Sequence, residues 1–203
     1  MQDGTEWEEN REGAKRVEAF SDGVIAIVIT IMVLEMRAPE ETGWEHLLAL
    51  WPVFTAYVLS YIYVAVYWAN HHRLFSHARR VTNALIWSNI ALLFALSLVP
   101  FATAYLGEHA FSRDATLFYM TVMLMPSLAY MWLQRVIRRT GAQGEASVAY
   151  HRSTMRKGVA ATIVYAAGIP LTLITPLLGL GCAALVAIFW FLPKSPLDAL
   201  FAR

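Results

Sequence analysis

The chain is 203 residues long, 58% hydrophobic and only 15% charged, with a formal net charge of +1 and a mean hydropathy of +0.47. A soluble domain of this length needs more charge to cover its surface, so the composition excludes a soluble globular protein and specifies an integral membrane one. A single cysteine, Cys182, lies in an apolar run and excludes an internal disulfide framework.

Residues 1–15 are polar and acidic, with Asp3, Glu6, Glu8, Glu9 and Glu12, and lead into the first apolar run with no cleavage-site pattern. They read as a polar N-terminal segment rather than a signal peptide. A bilayer core takes about 20 apolar residues per helix, and by that measure six spans are predicted within residues 16–193. The first runs from Arg16 to Met36 and ends before Pro39. The second runs from Trp44 to Asn70, is rich in aromatics, and carries Pro52 in an early turn. A basic link from His71 to Arg80 follows. The third span covers Asn83 to Leu106 with a kink expected at Pro100, and the fourth Ala115 to Ile137 with Pro126 inside it. A second polar link, Arg138 to Lys157, contains Gly141 and Gly144 and is expected to break or fray. The fifth span, Gly158 to Thr175, ends at Pro176. The sixth, Leu177 to Leu192, is short and stops at Pro193, before a tail at 194–203. So little separates the last two that a single bent helix competes with two spans.

Charge placement tests the count. With six spans, both termini share one side with the two basic links, and that side collects all but Arg37 and Arg113 of the 16 Lys and Arg residues. The positive-inside rule then puts both termini in the cytoplasm.

The first span carries the polar groups that most demand explanation. Phe20, Gly23, Ile27, Thr30, Ile31 and Leu34 are spaced by threes and fours, so on a helix they form one stripe. An apolar stripe with one hydroxyl is ordinary in a packed core; repeated by symmetry around an axis, it is also the wall of a pore. Asp22 lies inside the run with Arg16 behind it, and a charge in hydrocarbon needs a partner, neutralisation or water. Trp68, Asn70, His71, His72, His77, Asn83 and Asn89 are the natural partners. They form either a hydrogen-bonded clasp on the first helix or a setting in which Asp22 binds an ion or relays a proton. The spacing of His71, His72 and His77 matches no zinc signature, so no metal site or cofactor is expected. Ser21 and Asp22 are adjacent and cannot face each other across a histidine, and no nucleophile elbow is present, so no enzyme chemistry is expected. No phosphate-cradling glycine loop or nucleic-acid module occurs. The basic links read as topology signals and contacts to membrane lipid.

Arg16-x-x-x-Phe20-Ser21-Asp22, continued through the run to Glu35, resembles the transmembrane protein 175 family of potassium channels, in its short prokaryotic form with a single six-helix repeat. Supporting pieces are Tyr67-Trp68-Ala-Asn70-His71-His72-Arg73-Leu-Phe75 and Leu-Val-Pro100-Phe. The resemblance covers the first half of the chain well and the second half by hydropathy only. It implies an all-α homotetramer in a prokaryotic plasma membrane, without a re-entrant filter loop, whose first helices line a central pore for potassium ions. Position by position it implies a narrow point at Ile27, a selectivity hydroxyl at Thr30 and further apolar rings at Ile31 and Leu34. The helix is braced by Arg16, Phe20, Ser21 and Asp22 with Trp68, Asn70 and His77 as counterparts.

Every carbonyl of an intact helix is used internally, so such a pore cannot imitate a carbonyl-lined filter. A ring of Ile27 side chains would be a constriction that can dewet. Glu35 either concentrates cations at the outer mouth or is a solvated helix end. Two other readings stand beside the channel: a proton-coupled secondary transporter using Asp22 and His77, and a non-conducting membrane scaffold.

Overall fold

The computed structural model describes residues 2–140 and 145–191, with side chains described for 8–140 and 147–190. The elements among them are all α-helices: α1 Gln2–Leu34, α2 Trp44–Ala49, α3 Trp51–Phe75, α4 Asn83–Ser97, α5 Val99–Glu108, α6 Arg113–Thr140, α7 Glu145–Ile174 and α8 Pro176–Phe191. Five stretches are long and apolar enough to cross a bilayer: Glu8–Leu34, Trp51–Phe75, Asn83–Glu108, Arg113–Thr140 and Ser147–Ile174. The helix Pro176–Trp190 is apolar but shorter. The chain is a multi-pass membrane protein.

Prolines explain the breaks. Pro100 lies at the start of α5, where its missing N–H and its ring interrupt the hydrogen-bond ladder, so the expected kink falls at Leu98, between α4 and α5. Pro52 does the same at the start of α3, which separates the short α2 from what the sequence suggested was one span. Pro126 and Pro170 instead stay inside α6 and α7, as neighbouring helices in a membrane bundle allow. Thr82 caps α4 by accepting from the Leu85 N–H at 3.2 Å.

The helices extend beyond the apolar runs that hydropathy marks. α1 runs unbroken from Gln2 through the polar N-terminal segment into the apolar run. In the link between Arg138 and Lys157, α6 continues to Thr140 and α7 begins at Glu145, while the break expected at Gly141 and Gly144 lies outside the described residues. A hydrophobicity scan ends a span where polar residues begin, whereas a helix continues wherever its backbone is satisfied internally. The last span's end at Leu192 and Pro193, and the tail 194–203, also lie outside the described residues.

The competition between a bent helix and a hairpin is decided by contacts across the Thr175 turn. A β-carbon at Gly179 would meet Thr172, one at Gly168 would lie 3.2 Å from the Cys182 β-carbon, and Lys157 Nζ sits 5.8 Å above the Phe189 ring. Partners thus draw steadily farther from Thr175 on both sides, so α8 folds back antiparallel on α7. Glycine at 168 and 179 lets the two backbones approach.

The other pairings run the same way. Asp22 meets Trp68, Glu18 meets His72 and Gly13 meets Val81, so the start of α1 lies beside the end of α3 and the start of α4. At the far end Gly107 of α5 lies against Val53 of α3. The start of α1 and the end of α8 therefore share one end of the bundle with Arg73, Arg79, Arg80, Arg135, Arg138 and Arg139. Arg37 and Arg113 lie at the other. The core between the helices is built from Ile25, Val28 and Met32 of α1, Val64 and Leu74 of α3, Leu92 and Leu96 of α4, and Tyr119, Met120 and Met123 of α6.

Candidate functional site

The first helix has two unlike faces. Ser21, Ile25, Val28 and Met32, at i, i+4, i+7 and i+11, are buried against α3, α4 and α5. The opposite stripe is bare: Phe20, Gly23, Ile27, Thr30, Ile31 and Leu34 are all exposed, Ile27 at 57% and Leu34 at 78%. A β-carbon at Gly23 would meet nothing within 4 Å. Thr30 Oγ1 donates to the Ile27 carbonyl at 2.9 Å. The hydroxyl proton is spent on the helix, and what the oxygen offers outward is lone pairs, which suit a cation.

The buried face is pinned near its basic end by polar contacts. Ser21 Oγ donates to the Val17 carbonyl at 2.8 Å and accepts from Asn89 Nδ2 at 2.8 Å. Asn89 Oδ1 is 2.9 Å from His71 Nε2; since Asn89 gives its amide protons to Ser21, the carbonyl accepts and His71 carries its proton on Nε2. Ser21, His71 and Asn89 are all buried, so this link crosses from α1 to α4 to α3 inside the packed subunit. One turn along, at the edge of the bundle, Trp68 Nε1 donates to Asp22 Oδ1 at 3.0 Å. Glu18 Oε1 lies 2.8 Å from His72 Nδ1, and the His72 ring stacks on Trp68. Residues 18, 21 and 22 of α1 are thus tied to α3 and α4, which fixes the rotation of the helix and so which stripe it leaves bare.

The other anticipated residues go elsewhere. Asn70 Nδ2 donates to the Val66 carbonyl at 2.7 Å, while the Asn70 carbonyl accepts from Tyr130 at 3.0 Å, so Asn70 joins α3 to α6 rather than to α1. His77 Nδ1 is 3.0 Å from the Arg73 carbonyl and its ring stacks on Tyr150 of α7 at 4.3 Å. Arg16, Phe20 and Glu35 are exposed. The histidines disperse: His71 to Asn89, His72 to Glu18, His77 to Tyr150. Among the described residues no group of three His, Cys, Asp or Glu is placed to hold a metal ion. Glu18 was not anticipated; its signal was its position one turn before Asp22 on the same helix face.

A family model described as endosomal/lysosomal potassium channel TMEM175 matches residues 16–100. A "potassium channel" from a Chryseobacterium species is 40% identical over 184 residues, which cover 90% of this chain and 95% of that protein. The chain belongs to the TMEM175 family. A crystal structure of a lysosomal potassium-selective channel TMEM175 homolog from Chamaesiphon minutus superposes with a TM-score of 0.80 at 30% identity, over 89% of this chain and 97% of that one. The human endosomal/lysosomal proton channel TMEM175 is 36% identical over 112 residues, 49% of this chain and 22% of that longer protein. The TMEM175 family is one of ion channels and not of enzymes, and the arrangement of α1 can be read in those terms.

Proposed function

We propose that this chain is one subunit of a homotetrameric potassium channel, in which α1 of each copy turns its bare stripe toward a central axis. The observation that carries the reading is the pairing of that stripe with the pinned opposite face. Ile27, Thr30, Ile31 and Leu34 are uncovered in the subunit, while Ser21, Ile25, Val28 and Met32 are locked into it. In this reading all six apolar helical stretches span the membrane, with the short α8 as the last. Both ends of the chain lie in the cytoplasm beside the basic links, and the membrane is a prokaryotic plasma membrane.

Permeation follows from the side chains. A ring of Ile27 side chains offers no ligands and sheds water when it narrows, so it gates or limits leak. Ions pass partly hydrated, and the Thr30 oxygens, whose protons are held by the helix, replace part of the lost hydration. Potassium holds its water less tightly than sodium and is favoured. Ile31 and Leu34 continue the apolar wall outward, and Glu35 concentrates cations at the outer mouth. Trp68, Ser21 and Asp22 hold the stripe in register, Arg16 and Phe20 stand ready to meet a neighbouring subunit, and Asn70 and His77 support the frame at one remove. The transporter alternative is not favoured, since Asp22 is engaged by Trp68 and His77 by Arg73 and Tyr150.

The test is flux from liposomes holding the purified protein, with potassium or sodium as the driving cation, for the wild type and Ile27→Asn. Potassium flux exceeding sodium flux, with a rise on Ile27→Asn as the neck wets, is the expected result. Unchanged conductance in the variant removes Ile27 from the path, and no flux from either protein favours the scaffold.

A further inference from the structure

The basic end of the bundle holds a second polar cluster, away from α1. On α7, Ser147, Tyr150 and His151 fall at i, i+3 and i+4 on one face. Ser147 is 8% exposed and His151 3%. Yet Ser147 Oγ, Tyr150 Oη and His151 Nε2 are closed to solvent with no hydrogen-bond partner among the described residues. The turn after α3 brings His77 against them, its ring parallel to Tyr150 at 4.3 Å and 5.3 Å from His151. Arg73, whose carbonyl holds His77 in place at 3.0 Å, is within electrostatic range of Tyr150, and Arg138 is within range of His151. Among the described residues, Arg73 acts on Tyr150, and His77 and Arg138 act on His151.

Buried polar atoms without partners are rare in folded proteins and costly to keep. Here three share one face of α7, and each can donate: two hydroxyls and an imidazole nitrogen whose tautomer is free to follow the ligand. What Ser147 and His151 lack is an acceptor, whereas Thr154 stands beside the Tyr150 hydroxyl. Two guanidiniums set the corner's sign as positive, which disfavours a cation and favours an oxyanion with several acceptor oxygens. Its level in the bundle, among Arg135, Arg138 and Arg139 at the end of α6, is where lipid headgroups meet a bundle whose basic end faces the cytoplasm. We propose that the corner between α6, α7 and the turn after α3 is a phosphate-binding site, taking a phosphate group from an anionic lipid headgroup or from solution. The site does not depend on the conduction reading, because binding is measured without ion flux.

The experiment uses the full-length protein in detergent micelles. Native mass spectrometry compares retention of phosphatidylglycerol with phosphatidylcholine, and thermal unfolding compares inorganic phosphate with chloride at matched ionic strength. The expected result is preferential phosphatidylglycerol retention that falls roughly tenfold in Tyr150→Phe/His151→Gln, consistent with the loss of charge-assisted donors. Arg138→Gln, at an exposed position, keeps the test decisive if the buried double variant misfolds, and is expected to weaken retention too. Displacement of the lipid by inorganic phosphate, or stabilisation by phosphate alone, supports the site and assigns it to the free ion; retention that phosphate leaves unchanged supports it and assigns it to the headgroup. Equal retention of the two lipids with no phosphate shift, or binding unaffected by either variant, overturns the proposal and leaves water as the partner of these donors.

Discussion

Asn89 is the side chain whose removal should most loosen α1. It gives a 2.8 Å hydrogen bond to Ser21 and takes one at 2.9 Å from His71, both inside the subunit. Interhelical hydrogen bonds in membrane bundles average only ~0.6 kcal/mol, so the two bonds together contribute about 1 kcal/mol. The larger effect falls on His71. Its ring is 0% exposed and its Nδ1 already lacks a partner, so Asn89→Ala leaves both ring nitrogens unsatisfied, at a cost of about 1–3 kcal/mol. The sum is about 2–4 kcal/mol. Ser21→Ala removes one of the two bonds and spares His71, so it should cost about 1 kcal/mol. Because Asn89→Ala already breaks the shared bond, the double variant should be less destabilised than the sum of the singles by about 0.6–1 kcal/mol. Equilibrium unfolding of the purified protein in mixed micelles, followed by tryptophan fluorescence, reads all three variants. A loss below about 0.5 kcal/mol for Asn89→Ala, together with strict additivity, would refute the claim that this buried link anchors the helix.

Three further changes probe separate parts of the structure. Thr30→Ala removes the outward-facing oxygen while leaving the helix intact and should shrink the preference for potassium over sodium; an unaltered reversal potential under mixed ions takes Thr30 out of selectivity. Trp68→Phe keeps the ring and deletes the donor to Asp22 Oδ1, and in this half-exposed setting should cost about 1 kcal/mol of stability and reduce potassium flux; a variant with wild-type flux and unfolding midpoint separates this pair from the pore helix. Gly179→Ala forces a methyl group against Thr172, whose hydroxyl is already held by the Gly168 carbonyl at 2.7 Å, and should destabilise the α7–α8 hairpin by about 1–3 kcal/mol. Gly181→Ala, where a β-carbon would meet nothing within 4 Å, should be neutral or stabilising by up to about 1 kcal/mol, so a similar loss at both positions would argue against the close approach.

The sequence by itself determined that this is a multi-pass helical membrane protein with basic links between its apolar helices, and that the first helix carries a lone hydroxyl in an apolar stripe with a carboxylate at its mouth. Composition and spacing carry that information because a bilayer sets the length of an apolar helix and the periodicity of a helix sets its faces. Which face of α1 is packed and which is bare was decided only by the tertiary structure. Lipid, core and pore wall all accept isoleucine, so hydropathy cannot separate Ile25, which is buried, from Ile27, which is not. The partners were likewise out of reach of local spacing. Asn89 stands 68 residues from Ser21 and Trp68 stands 46 from Asp22, and among several polar residues that hydropathy placed at the same depth only the packing of α1 on α3 and α4 selected these. The turn at Thr175 makes the same point, because one residue between two apolar runs permits either a bend or a hairpin, and the small side chains that let α8 lie back against α7 act only once the two helices meet.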